Sequence, residues 1–426
     1  MSGFSIDAVM TTDLDVRLLI IADDLTGAVD SAAATGLPGL RLCVPWRAGE
    51  TDWDLADRHQ PRVLAISTDT RTLEPSVAVE RVVRAVRWSK GRGYRLVKKV
   101  DSLLRGNVAA EIAAFLDEVD ASSAVFAPAL PAQGRITIAG TQLVDGVPVS
   151  SSPAGADPHS PARQSYISAL VPAGLRCYPL RINAVREYDL HRLVRGAAGG
   201  VIVADAADQS DLDRLREAAL SVADVVLIGS SGLIASAAPP MAQLATGRVV
   251  IVSASRRPEV AVQCARVIEA VPGVAETVVA PEEVLEGQLN PRDWWQSVRH
   301  AQVAILRVDP EAAMAPTAHA RRANSAGLLE GLATMAAEAF TDDSDEEPLT
   351  VVILGGDLAA QVCATLDVVA LDVQGVSCGG GGACQVLGLS TSQGRHLVLR
   401  SGAFGGRDVL VDAITERPSG VVETSG

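Results

Sequence analysis

The chain has 426 residues, 48% of them hydrophobic, 21% charged and only 3% aromatic, with a formal net charge of −14. That length predicts two domains, each able to bury a core of Ala, Val, Leu and Ile, and the composition excludes a disordered chain. The charge excludes a nucleic-acid or anionic-membrane partner, since both need a basic face, but it allows a small anion held by a few Arg, Lys and backbone N–H groups.

In chain order, the segment Met1–Asp15 is acidic and lacks the positive start of a signal peptide. Short apolar strands then alternate with helix-length segments. Strands are predicted at Arg17–Ala22, Val63–Ser67, Arg95–Val100 and Ala124–Phe126, with helices at Val77–Trp88 and Val108–Leu116. Pro148–Pro161, rich in Ser, Pro, Ala and Gly, predicts a long loop. Strands at Val201–Ala204 and Val225–Ile228 continue the alternation, and Ser236–Gly247 reads as a linker. The pattern restarts with strands at Val249–Ser253, Val303–Val308, Thr350–Leu354 and Leu397–Arg400 and helices at Glu259–Ala270, Thr317–Phe340 and Leu358–Leu366. Thr341–Glu347 is an acidic surface loop, and Arg417–Gly426 a frayed tail. Strands that are apolar throughout and separated by helices predict α/β architecture: two α/β domains, 14–236 and 248–416, with mainly parallel sheets and a cleft between them. The six cysteines are scattered, none with C-x-x-C spacing, and no apolar stretch is long enough to span a bilayer. Both features predict a reduced, cytoplasmic protein.

Polar residues stand at the C-terminal ends of the first strands, where open α/β sheets bind ligands. Asp23, Asp24, Asp69, Arg71, Asp101 and Arg105 are therefore expected to line one cleft. Asp23-Asp24-Leu25-Thr26-Gly27 places two carboxylates at a strand end and opens a helix. Such a carboxylate can accept a hydroxyl proton, bind polyol hydroxyls or merely cap the helix, and these roles stay open. In Lys98–Asn107, strand alternation puts Lys99 and Asp101 on one face, Ser102 follows, and Arg105 offers a planar fork for a carboxylate; a solvated ion-pair cluster is the rival reading. Pro128–Arg135 is a loop fixed by prolines, from which Gln133 and Arg135 could meet a sugar acid or simply face solvent. In the second half, Ser253-Ala254-Ser255, Gly355-Gly356-Asp357 and Ser401–Gly406, which includes Gly402 and Gly405, are small-residue loops after strands. Their glycines let backbone N–H groups approach a polyphosphate, and Asp357 could hold Mg²⁺ through water. No Gly-Lys dipeptide, and hence no Walker A loop, occurs anywhere, nor does G-x-G-x-x-G follow a strand. Cys378–Cys384 is a glycine-rich loop with two thiols and no histidine beside it.

Together, Ala22–Ala28 (ADDLTGA), Lys98–Asn107 (KKVDSLLRGN), Ala127–Arg135 (APALPAQGR), Val203–Leu212 and Ile228–Ala235 resemble the sugar-binding half of the four-carbon acid sugar kinase family. Val252–Ser255, Leu354–Ala359 and Arg400–Gly405 resemble that family's nucleotide-binding half, and the likeness runs from about Leu18 to Val411. It implies ATP-dependent phosphorylation of a terminal hydroxyl on threonate, erythronate or a 3-oxo-tetronate, with Mg²⁺. It also implies ATP contacts at Ser255, Gly355, Gly356, Asp357 and Gly402, and acid-sugar contacts in the first three motifs. Leu103, Leu354 and Leu358 stand where the family has threonine, and Arg400 where it has lysine. In-line transfer then uses Asp24, or next Asp101, as proton acceptor, with the sugar carboxylate near Arg105 and Arg71. A sugar-phosphate phosphatase is a rival reading, since Asp-Asp-Leu-Thr follows a strand, although the aspartyl-phosphate motif needs a residue between its aspartates. A non-catalytic nucleotide or metabolite sensor is another. The expected partners are a small acid sugar and ATP, with homo-oligomerisation left open.

Overall fold

The computed structural model describes residues 17–46, 50–121, 123–157, 159–236, 239, 241–242, 247–312, 318–342, 344, 347–377, 381–387, 395–402 and 405–415. The acidic start, the C-terminal tail, Cys378 and parts of the expected linker and acidic loop lie outside them.

The strands are β1 (Arg17–Ala22), β2 (Arg41–Val44), β3 (Val63–Ser67), β4 (Tyr94–Lys99), β5 (Ser123–Ala127), β6 (Arg135–Ile138), β7 (Thr141–Val144), β8 (Val147–Pro148), β9 (Arg176–Leu180) and β10 (Gly200–Ala204). They continue with β11 (Val225–Gly229), β12 (Arg248–Ser253), β13 (Val274–Val279), β14 (Val303–Val308), β15 (Leu349–Leu354), β16 (Leu371–Val376), β17 (Gly382–Val386) and β18 (Arg395–Arg400). The α/β expectation holds, and the apolar runs are the buried parallel strands. Every residue of β3, β5, β10, β11, β15 and β18 is buried, as two-sided coverage by helices requires.

The two halves share one sheet. Its order is β13-β14-β12-β15-β18-β17-β16-β2-β3-β1-β4-β11-β5-β10-β9. Pairing is parallel from β13 to β18 and from β2 to β9. Between these runs β18, β17, β16 and β2 pair antiparallel. The join itself is short, pairing Leu371 with Cys43 and Asp372 with Leu42. The Arg41 guanidinium reinforces it by donating to the carbonyls of Val373 and Gln374 at 3.2 and 3.0 Å. One hydrophobic core runs through the join, from Leu25, Ala28 and Val29 to Leu358, Val362, Leu371 and Cys384. The antiparallel insert escaped sequence reading because β16 alternates buried and half-buried residues, a half-covered pattern unlike the apolar runs. The three-stranded ribbon β6-β7-β8 also lies off the main sheet. Pro148–Pro161, expected as a loop, contains 3₁₀ turns at Val149–Ser151 and Pro153–Ala156. Among the described residues no helix is long and apolar enough to cross a membrane.

Candidate functional site

Strand β1 ends at Ala22, Asp23 and Asp24 follow it, and helix Leu25–Ala34 begins at once. Asp24 is its N-cap: extended at φ −147° and ψ 159°, its side chain accepts from the Gly27 N–H at 3.2 Å. Capping uses Oδ1, whereas Oδ2 accepts the Thr26 hydroxyl at 2.6 Å. Gly27 is required by close approach, because a Cβ there would collide with Lys99 Nζ and Asp24 Oδ1.

Arg71 joins the carboxylates. Its Nε donates to Asp23 Oδ2 at 2.7 Å, its Nη2 donates to Asp24 Oδ1 at 2.6 Å, and Asp101 lies 3.9 Å away. Lys99 Nζ stands 3.5 Å from Asp23 and 3.7 Å from Asp24. Burial by itself pushes the Asp23 carboxyl up, but Arg71 and then Lys99 outweigh it and bring the pKa down to about 2. Asp101 is buried too, yet Arg105, at 2.7 Å from Nε to Oδ2, and Arg71 hold it well below the usual carboxylate range. Arg105 also lies 3.7 Å from Asp157, a residue the sequence reading left out of the site. Arg135 is buried, donates to Ser102 Oγ at 2.5 Å, and has its pKa pushed down to about 10 by burial. The structure thus brings together Asp23, Asp24, Arg71, Lys99, Asp101, Ser102, Arg105 and Arg135. Gln133 stands apart, exposed on the 3₁₀ turn Pro131–Gln133, and among the described residues its side chain makes no hydrogen bond to this group.

The small-residue loops of the second half follow β12, β15 and β18, which are adjacent parallel strands with Ser253 beside Leu354 and Leu354 beside Arg400. All three loops therefore emerge at one end of the sheet. Ser253 is buried and its hydroxyl accepts from the Ser255 N–H at 3.1 Å. Gly355 sits at φ +117° and donates to the Arg400 carbonyl at 2.9 Å. Gly356 opens helix Gly356–Thr365 against the other half: a Cβ on it would lie 3.2 Å from Asp24 Oδ2 and 3.3 Å from Thr26 Oγ1. The Ser401 hydroxyl donates to Thr26 Oγ1 at 3.3 Å. Gly402 and Gly405 have φ of +37° and +103°. Ala403 and Phe404 lie outside the described residues.

Asp69 and Asp357 face each other across the mouth. They border a cavity of about 420 Å³ that is also lined by Leu25, Trp46, Ala360 and Val368. Although both side chains are open to solvent, surrounding protein pushes both carboxyls up, with Asp357 next in effect on Asp69, which reaches about 6. Two such neighbouring oxygen donors suit a hard cation that keeps most of its waters, which is the chemistry of Mg²⁺. Among the described residues no group of three His, Cys, Asp or Glu forms a closed metal cage.

Sequence reasoning passed over Thr70, Glu111 and Asp30, which lie in or beneath this region. Asp30, on helix Leu25–Ala34, has its pKa raised to about 7, first by burial and then by the Asp24 charge. Nothing in spacing marks Asp30 as different from other polar residues of that helix.

Residues 18–237 match the family described as a sugar-binding N-terminal domain. The chain belongs to the four-carbon acid sugar kinase family. It is 32% identical to a D-threonate kinase of Bordetella bronchiseptica over 93% of this chain and 97% of that one. A D-threonate kinase of Cupriavidus necator is 38% identical, but that match spans only 52% of this chain and 54%, about half, of the relative. A D-erythronate kinase of Heliobacterium modesticaldum is 32% identical over 50% of each chain. Among solved structures, a Salmonella typhimurium protein covers 94% of this chain with a TM-score of 0.71 at 20% identity, so the shared fold extends beyond the better-matched first half.

Proposed function

We propose that the chain is an ATP-dependent kinase that phosphorylates a hydroxyl of a four-carbon acid sugar. The observation that carries this reading is the close approach of Gly356 to Asp24 and Thr26, where even an added Cβ would crowd both side chains. It sets the glycine loop suited to a triphosphate directly against the carboxylate suited to a polyol. The names of the relatives support the substrate class.

In this mechanism the backbone N–H groups of the loops containing Ser255, Gly355, Gly356 and Gly402 cradle the ATP phosphates. Mg²⁺ held at Asp357 would neutralise phosphate charge. The sugar carboxylate lies at Arg105, beside Ser102 and Arg135, whose planar forks suit it. Asp24 accepts the proton of the attacking hydroxyl. Asp101 is the weaker candidate, because, despite burial, Arg105 and Arg71 hold its carboxyl well below the usual carboxylate range, which makes it a poor proton acceptor. Catalysis here is chiefly positioning and electrostatics. The residues that depart from the family pattern do not open the cleft: Leu354 and Leu358 are both 1% exposed and pack in the core. That favours a catalyst over a sensor. The test is ATP-coupled turnover on D-threonate, D-erythronate and 3-oxo-tetronate. ATP binding without turnover of any acid sugar would count against the reading, and phosphate release from a sugar phosphate without ATP would favour a phosphatase.

A further inference from the structure

Behind the site lies an ion pair that the mechanism does not use. Lys98 and Glu111 are 0% and 1% exposed, and Lys98 Nζ is 2.7 Å from Glu111 Oε2. Strand alternation explains the Lys98-Lys99 doublet: Lys99 points toward the carboxylates, and Lys98 points through the sheet to the opposite face. There its ammonium also donates to the carbonyls of Lys99 at 2.9 Å and Ile21 at 3.4 Å. Desolvating two charges makes such a pair a poor source of stability, since apolar residues of like volume commonly do as well. What the pair does provide is an acceptor oxygen at a fixed place.

That oxygen, Glu111 Oε1, accepts the Thr70 hydroxyl at 2.7 Å. Thr70 precedes Arg71, and the backbone N–H groups of both donate to the Asp23 carbonyl, at 2.9 and 3.3 Å. Asn107, just before the helix that carries Glu111, donates to the carbonyls of Thr70 and Leu73 at 2.9 and 2.8 Å. The loop is thus pegged from behind by a side chain and from the side by an amide. Its neighbour Asp69 is held at φ +47°, a conformation that needs such support. We propose that Glu111, held in place by Lys98, is a positioning residue that acts through Thr70 to set the Arg71 fork across Asp23 and Asp24. The proposal rests on the kinase reading only for its catalytic consequence.

Glu111→Gln strands the Lys98 charge and can unfold the protein, so the informative variant is Thr70→Val, which removes the hydroxyl and keeps the shape. A lost hydrogen bond to a charged acceptor that orients the substrate pocket should lower kcat/KM for the acid sugar about tenfold. The KM for ATP should stay within about twofold, and Thr70→Ser should restore the acid-sugar value to within about threefold. The Arg71 Nε–Hε resonance, read in ¹⁵N-labelled protein without turnover, should shift in Thr70→Val and return in Thr70→Ser. A folded Thr70→Val protein with wild-type kcat/KM and an unmoved Arg71 signal overturns the proposal. Absence of turnover in the wild type overturns the kinase reading instead, and the Arg71 signal still decides this one.

Discussion

Replacing Gly356 by alanine probes the meeting of the two halves. A Cβ at this position would lie 3.2 Å from Asp24 Oδ2 and 3.3 Å from Thr26 Oγ1, a few tenths of an ångström inside ordinary contact. The neighbours cannot yield freely, because Asp24 is tied to Thr26 at 2.6 Å and to Arg71 at 2.6 Å. Gly356 is the first residue of its helix, where alanine gains less than the roughly 1 kcal/mol of a helix interior, so any gain and the mild crowding nearly cancel and the melting temperature should stay near the wild-type value. Catalysis should be less tolerant. A 1 Å misplacement can cost about a hundredfold, so a shift of a few tenths should lower kcat on the order of tenfold. The assay is ADP release in a coupled reaction at saturating acid sugar and ATP, with Gly196→Ala as control, because its added Cβ meets nothing within 4 Å. A folded Gly356→Ala enzyme with unchanged kcat and KM would refute the claim that loop and carboxylate meet in the reacting enzyme.

Further outcomes follow from the same geometry. Asp24→Asn keeps an acceptor for the helix N-cap but removes the base, so kcat should fall by about 10²–10⁴ while ATP binding, read by calorimetry, holds; an unchanged kcat would exclude Asp24 as the base. Arg105→Lys replaces a fork with a point charge and should raise the KM for the acid sugar more than it lowers kcat, as initial-rate kinetics would reveal. Asp30 titrates at about 7 in the folded protein against 3.8 unfolded, so its contribution to stability is full below pH 3.8 and is lost as pH rises through 7. Asp30→Asn should flatten that slope and raise the melting temperature at about pH 8, with an upper bound of ~4 kcal/mol; an unaltered pH–stability curve would contradict the assignment. Gly355→Ala forces a side chain to φ +117° and should cost about 1–3 kcal/mol in urea unfolding.

The sequence made the parallel strands and the strand-end charges readable because both are local. An apolar run bounded by helices is a buried strand wherever it docks, and Asp24, Asp69 and Asp101 each end one. The partners of those charges were less legible. Arg71 bridging three aspartates, or Thr70 reaching Glu111, depends on which strands are neighbours, and β1 lies between β3 and β4, an order no local pattern states. Gln133 stays ambiguous in the sequence because a loop beside a cleft can turn its side chain either way, and in the structure it is exposed. The antiparallel join was invisible for a different reason. Its strands, such as Arg41–Val44, are short and gain their stability from pairing across more than 300 residues rather than from propensity.

The arrangement also explains how a chain of net charge −14 can receive an acid sugar. In the inner cluster Arg71, Lys99, Arg105 and Arg135 face Asp23, Asp24, Asp101 and Asp157, four cations against four carboxylates, so the pocket gathers positive charge that the chain as a whole lacks. At the mouth the balance shifts: Asp69 and Asp357 border one cavity, and burial and then the Asp357 charge raise the Asp69 pKa against the opposing pull of Arg81. Because a Cβ on Gly356 would lie only 3.2 Å from Asp24, and one core passes beneath both, the two halves are packed together at this divide.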